Sequence, residues 1–320
     1  MKKETIKSGK NAARRTKKRV IVLVNKKKEL EGFLEGTEKV LKSGPIEPLA
    51  CREVGLAGRY SFSSFVADVY CIENFFKTAR NDRSSSNSEK KFDILTKLLR
   101  RRRCDYVVSF STSESTPESQ GGESGGEKAK HTANGNVFVG SRFYLKDCAA
   151  YDPETESHLP VKRAYYGKRS AFLEKLFREI NISQVAITND METVPANSVK
   201  RELLCCRADE EYVALDVVNV MNYDCYKNAD KAAYETFKDG TWRGEPVGIE
   251  TTHGVVRKAV EDAKLRYPKP EVIFVSPITD RYLCFEYDVG ADGKQNKACS
   301  KNGGVATAHI FYALNKLLDK

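Results

Sequence analysis

The run Glu271-Val-Ile-Phe-Val275 carries no polar side chain after its first residue. A stretch this short and this apolar is expected to be a strand buried on both faces, as in a parallel sheet covered by helices. Val20-Ile-Val-Leu-Val24 has the same character, and Tyr106-Val-Val-Ser-Phe110 nearly so. Helical patterns lie between such runs. Lys27 to Leu41 places Leu30, Phe33, Leu34 and Leu41 on one stripe, and Phe92, Ile94, Leu95, Leu98 and Leu99 form another. The alternation predicts an α/β fold: a single domain of three layers, α/β/α, around a mixed, mostly parallel sheet.

Further strands are expected over 60–71, 137–140, 184–187 and 212–220. Helices are expected over 170–180, 228–237 and 255–265, with a last one over 305–318 that starts after Gly303-Gly304. Residues 111–136 are Ser, Gly and Glu with almost no apolar side chain, and read as a flexible insertion.

The net charge of +10 is unevenly spread. Residues 1–19 hold nine basic side chains against Glu4, so about +2 remains for the other residues. This predicts a disordered basic tail over 1–19, with a localisation signal or a weak polyanion tether as alternatives, and a folded domain over 20–320. Arg100 to Arg103 close a helix, where cations complement its dipole. Nucleic acid is therefore expected as a partner only weakly, through residues 1–19. The nine cysteines are scattered without a C-x-x-C, which signals neither a disulfide framework nor a metal site. No run reaches the length of a membrane span, and no apolar leader opens the chain. A cytoplasmic location is expected, with a nuclear one as the alternative that the tail would support.

Two carboxylates bracket the stretch Glu245–Tyr282. Glu250 stands at the mouth of a helix and Asp280 at the end of a strand. Beyond the carboxyl ends of parallel strands is where open α/β sheets bind ligands. The bland readings are a helix N-terminal carboxylate for Glu250 and a turn residue for Asp280.

Four segments, in order, resemble the nucleoside phosphorylase and nucleosidase superfamily. They are Val20–Val24 with Lys27–Leu34 and its Glu29 or Glu31; Val137-Phe-Val-Gly-Ser-Arg-Phe-Tyr-Leu-Lys-Asp147; Glu245-Pro-Val-Gly-Ile-Glu250; and Glu271–Asp280 followed by Asn302–Leu318. The resemblance implies a phosphorylase/hydrolase-like fold and cleavage of the N-glycosidic bond of a purine nucleoside or nucleotide, by phosphorolysis or hydrolysis. It implies that Glu250 binds the ribose hydroxyls and that Asp280 is the catalytic acid at purine N7. Phe143 or Tyr144 would stack on the base, and Asn222 would contact it. His253 is a sugar contact, a second acid or a packed surface histidine.

The glycine turns of the family fall on Ser84, Ser86 and Asn87 and on Ser111 and Thr112, with Arg142 as a further phosphate contact. Serine in place of glycine restricts how closely backbone can approach an anion. Either water or inorganic phosphate is then the nucleophile. No cofactor and no metal are implied, and a homo-oligomer is the common state of the family. The alternative is a catalytically degenerate nucleoside-binding or interaction module of the same fold.

Overall fold

The computed structural model describes residues 16–44, 55–76, 87–115, 135–146, 151–152, 157–158, 163–166, 170–180, 211–215, 248–250, 252–281 and 293–320. In chain order the strands are β1 Lys18–Val24, β2 Leu56–Ser61, β3 Phe65–Cys71, β4 Tyr106–Phe110, β5 Ser113–Ser115, β6 Val137–Gly140, β7 Arg142–Lys146, β8 Tyr151–Asp152, β9 Ser157–His158, β10 Arg163–Tyr166, β11 Glu211–Leu215, β12 Gly248–Glu250 and β13 Glu271–Arg281. The helices are α1 Lys27–Leu41, α2 Ile72–Phe76, α3 Asn87–Arg101, α4 Ala171–Glu179, α5 His253–Asp262 and α6 Gly293–Leu318.

One sheet runs in the order β10-β7-β11-β12-β5-β13-β4-β1-β3-β2, with β6 paired to β13. Its centre is parallel, as the apolar runs require: β3, β1, β4 and β13 align side by side, with Val20 opposite Tyr106 and Tyr106 opposite Glu271. The pairs β2–β3, β5–β12, β6–β13 and β7–β10 are antiparallel, so the sheet is mixed.

Alternation along β1 sends Val20, Val22 and Val24 to one face and Ile21 and Leu23 to the other. On the first face they meet Phe33, Phe110, Ile310, Phe311 and Leu314, under α1, α4 and α6. On the second they meet Leu95, Leu99, Val256 and Val260, under α3 and α5. Burial on both sides explains why no polar residue interrupts these strands. Phe33 meets Phe110 edge-to-face, with ring centroids 5.0 Å apart, which sets α1 over the end of β4.

The closing helix differs from the expectation. It begins at Gly293, and Gly303-Gly304 lie inside it. Glycine usually marks a stop, but here it permits contact. A methyl on Gly304 would run into the Phe33 carbonyl, and one on Gly36 into the Lys301 carbonyl. Backbone approach this close between α1 and α6 needs glycine on both helices.

The expected flexible insertion is also corrected in part. Ser113–Ser115 is a strand, antiparallel to β12 and parallel to β13. A strand with ladders on both sides satisfies its backbone without apolar side chains, so composition hides it. β13 continues past Val275 to Arg281 by pairing with β5. At the amino end β1 starts at Lys18, and Lys17 Nζ donates to the Phe62 carbonyl at 2.5 Å, so ordered chain reaches into the expected tail. The strand expected at 184–187 and the helix expected at 228–237 lie outside the described residues. Of 212–220, only the first part falls within β11.

Candidate active site

The parallel strands β1 and β4 end level with Val275 of β13, and a polar layer covers this carboxyl edge. Asn25 follows β1 and donates through Nδ2 to Ser111 Oγ at 3.3 Å. The Ser111 amide donates to the Val275 carbonyl at 3.3 Å, and Ser276 Oγ donates to the Ser111 carbonyl at 3.0 Å. Asn25, Ser111 and Ser276 are all buried. A layer of buried side-chain polar groups at the edge of an apolar core is retained only where each finds a partner.

Glu29 sits in this layer. It stands in the first turn of α1 and reaches back to accept from the Lys26 amide at 3.0 Å, satisfying one orphan donor of the helix start. Its other oxygen accepts from the Thr112 amide at 3.2 Å and from Thr112 Oγ1 at 2.9 Å. The side chain is fully buried. Burial raises its proton affinity above the ordinary carboxylate range, against the pull of Lys26 and of the Thr112 and Lys26 donors.

Glu250 is the second buried carboxylate, 5 % exposed, at the end of β12. One oxygen, Oε1, accepts from the Thr252 amide at 2.5 Å and from the His253 amide, at the start of α5. That is the helix-capping role weighed above. The other oxygen, Oε2, is buried without a hydrogen-bond partner among the described residues. Burial pushes the carboxyl up to about 7, opposed by the His253 amide, the Lys91 ammonium, the Thr252 amide and the nearby Ser111 hydroxyl. The Ser111 hydroxyl lies near enough to pull the group down, yet it makes no bond of normal geometry to Oε2.

Lys91 of α3 donates from Nζ to Thr252 Oγ1 at 3.0 Å. It puts a cation beside Glu250. His253 is not a surface residue: it is fully buried, with Nδ1 2.7 Å from Ser109 Oγ and its ring stacked on Phe274 at 5.4 Å. Burial first, and then Lys91, hold its pKa well below the usual value, so it is a neutral imidazole.

Asp280 lies within β13, its backbone beside Glu114 of β5. β5 thus separates the strand of Glu250 from the strand of Asp280. Arg142, Phe143 and Tyr144 belong to β7, next to β11, and α5 packs against both strands. Asn87 opens α3. Ser84, Ser86 and Asn222 lie outside the described residues. Ser111 and Thr112, expected near phosphate, are committed to Val275 and to Glu29 through their amides.

Lys91, Ser109 and the buried state of Glu29 were not evident from sequence. Among the described residues no cluster of three or more His, Cys, Asp and Glu could hold a metal, and no helix is long and apolar enough to cross a membrane.

Two solved structures carry the same architecture. A 5'-methylthioadenosine/S-adenosylhomocysteine nucleosidase from Helicobacter pylori, with butyl-thio-DADMe-Immucillin-A, is 10 % identical, with a TM-score of 0.51, over 92 % of this chain and 99 % of that one. The apo 5'-methylthioadenosine nucleosidase of Arabidopsis thaliana is 13 % identical, with a TM-score of 0.51, over 93 % of this chain and 97 % of its own. This chain therefore has the α/β fold of these two nucleosidases. The sequence matches no protein-family model and no curated protein.

Proposed function

We propose that this chain cleaves the N-glycosidic bond of a purine nucleoside or nucleotide, with water as the nucleophile. The observation that carries this reading is Glu250: a buried carboxylate at the carboxyl edge of a nucleosidase-like sheet, with Oε1 fixed on the α5 amides and Oε2 unpartnered. An unpartnered buried oxygen costs free energy unless a ligand donates to it. The two hydroxyls of a ribose are suitable donors, and bonds to a charged acceptor are the stronger kind.

Glu29 is the second element. Burial makes it a stronger base than an exposed glutamate, which suits proton removal from water near neutral pH. In the proposed step, water oxygen bonds to the anomeric carbon and its proton passes to Glu29. The carbon–nitrogen bond breaks with its electron pair on the base, and Asp280 supplies a proton at N7. The ligand in the H. pylori structure, an immucillin, agrees with a purine-type substrate.

Water is favoured over phosphate because the Thr112 amide and hydroxyl both serve Glu29, an anion that would repel phosphate. The test is release of free base from a panel of purine nucleosides and nucleotides, with and without phosphate. Glu29→Gln is expected to lower the turnover by roughly two orders of magnitude or more with the fold retained. Binding without release, seen by calorimetry on the parent chain, would instead establish the degenerate binding module.

A further inference from the structure

The parallel sheet puts every chain segment that leads into β1, β4 and β13 at one edge, opposite the candidate site. Residues Lys18 and Arg19, 102–105 and 264–270 are therefore neighbours. Hydrogen bonds tie them together. The Asp105 amide donates to the Arg19 carbonyl at 2.8 Å, and the Glu271 amide donates to the Asp105 carbonyl at 3.1 Å. Tyr267 Oη donates to the Leu99 carbonyl at 2.5 Å and the Arg102 carbonyl at 2.9 Å.

This edge gathers cations. Arg100 and Arg101 end α3 and Arg102 and Arg103 follow it, while Lys264, Arg266 and Lys269 follow α5. The carboxylates nearby are Asp105, Glu261, Asp262 and Glu271. Asp105 is occupied by Lys18 at 2.8 Å, and Glu261 by Arg257 at 2.6 Å and Lys269 at 2.8 Å. Arg100, Arg101, Arg103, Lys264 and Arg266 are exposed and make no ion pair among the described residues. Complementing a helix dipole asks for about half a charge, which five cations exceed. The basic residues of 1–15 precede β1 in sequence, and β1 begins at this edge.

We propose that this amino edge of the sheet is a binding surface for the phosphate backbone of a nucleic acid. Arginine forks suit paired phosphate oxygens better than lysine does. The edge offers no exposed large apolar side chain for membrane insertion: among the described residues, the one exposed large hydrophobic is Tyr312, on α6. With no exposed aromatic platform for stacked bases, recognition is of charge spacing and not of sequence. The surface lies across the sheet from Glu29 and Glu250, so it acts independently of the proposed chemistry.

The test uses the full chain and a fluorescein-labelled random-sequence duplex, followed by anisotropy across a salt series. Log affinity should fall with log salt at about 0.9 per phosphate contacted. The variant R100S/R101S/R103S/K264S/R266S, with residues 1–15 retained, should bind at least tenfold more weakly and with a shallower salt slope. Its melting temperature should match the parent, because none of the five makes an ion pair among the described residues. R101S/R266S serves if the fivefold variant does not fold, and should give a smaller loss in the same direction. Unchanged affinity in either variant, or binding abolished by deletion of residues 1–15 and insensitive to the five substitutions, would overturn the proposal. So would binding to phosphatidylserine vesicles with none to the duplex.

Discussion

Under the proposed function Glu250 divides its two oxygens between architecture and ligand, and its burial should show in the pH dependence of stability. Its folded proton affinity is raised to about 7 from 4.5. Below about pH 4.5 it is neutral folded or unfolded, and its contribution is fully present. As pH rises through 7 the folded state pays for a buried charge, so stability falls across that window by about 3 kcal/mol. Neighbouring His253 acts with the opposite sign: its lowered affinity favours folding above pH 6.5 and the advantage fades as pH falls. Denaturant midpoints at pH 5 and pH 8 should converge in Glu250→Gln relative to the parent, and an unchanged difference would remove the assignment. Lys91 lowers the Glu250 carboxyl, so Lys91→Met should move the pH dependence of base release upward. Glu250 was a candidate in the sequence because a turn, a carboxylate and a helix adjoin along the chain. It did not single out Glu29 as a site residue, since Glu31, Glu35 and Glu38 share that helix and only tertiary contact with Thr112 buries one of them. Of the three readings open for His253, the surface one falls, because its cover, Phe274 and Ser109, comes from strands far along the chain.

At the scale of elements, α1 and α6 are joined by small residues. Gly32 and Gly36 on one helix and Gly304 on the other bring backbones into contact, and Gly303 clears Phe110 and Pro277. Overpacking such a contact costs about 1–3 kcal/mol. Gly36→Ala should therefore lower thermal stability by that amount, whereas Gly44→Ala, whose added methyl would meet only the Glu38 side chain at 3.8 Å, should leave it nearly unchanged. Because α1 carries Glu29, Gly36→Ala should also lower base release through misplacement of that carboxylate, measurable at a temperature where the variant is still folded. The long apolar strands were legible because burial on both faces leaves a plain apolar signature. Two elements were obscured by the same logic. A Gly-Gly pair imitates a helix break when it is a helix contact, and Ser113–Ser115 imitates a loop when its backbone ladders make it a strand.

Over the whole molecule the sheet separates two chemistries by its two edges. Buried carboxylates lie at the carboxyl edge and exposed cations at the amino edge. The variant R100S/R101S/R103S/K264S/R266S should thus keep the parent's rate of base release, which a nucleoside assay reads directly. Neither edge was visible as a unit in the sequence, because parallel topology assembles each from segments scattered between residue 18 and residue 281. The α1–α6 contact has a bearing on synthesis. A ribosome delivers α1 more than 200 residues before α6, and until α6 emerges the apolar face of β1 with Val20, Val22 and Val24 lacks much of its cover. Contacts so distant in sequence form slowly, and uncovered strands are prone to aggregate meanwhile. The proposed catalytic carboxylate on α1 thus waits on the much later α6 for its seat, and a nascent chain cut short of α6 should be inert however much of the sheet it contains.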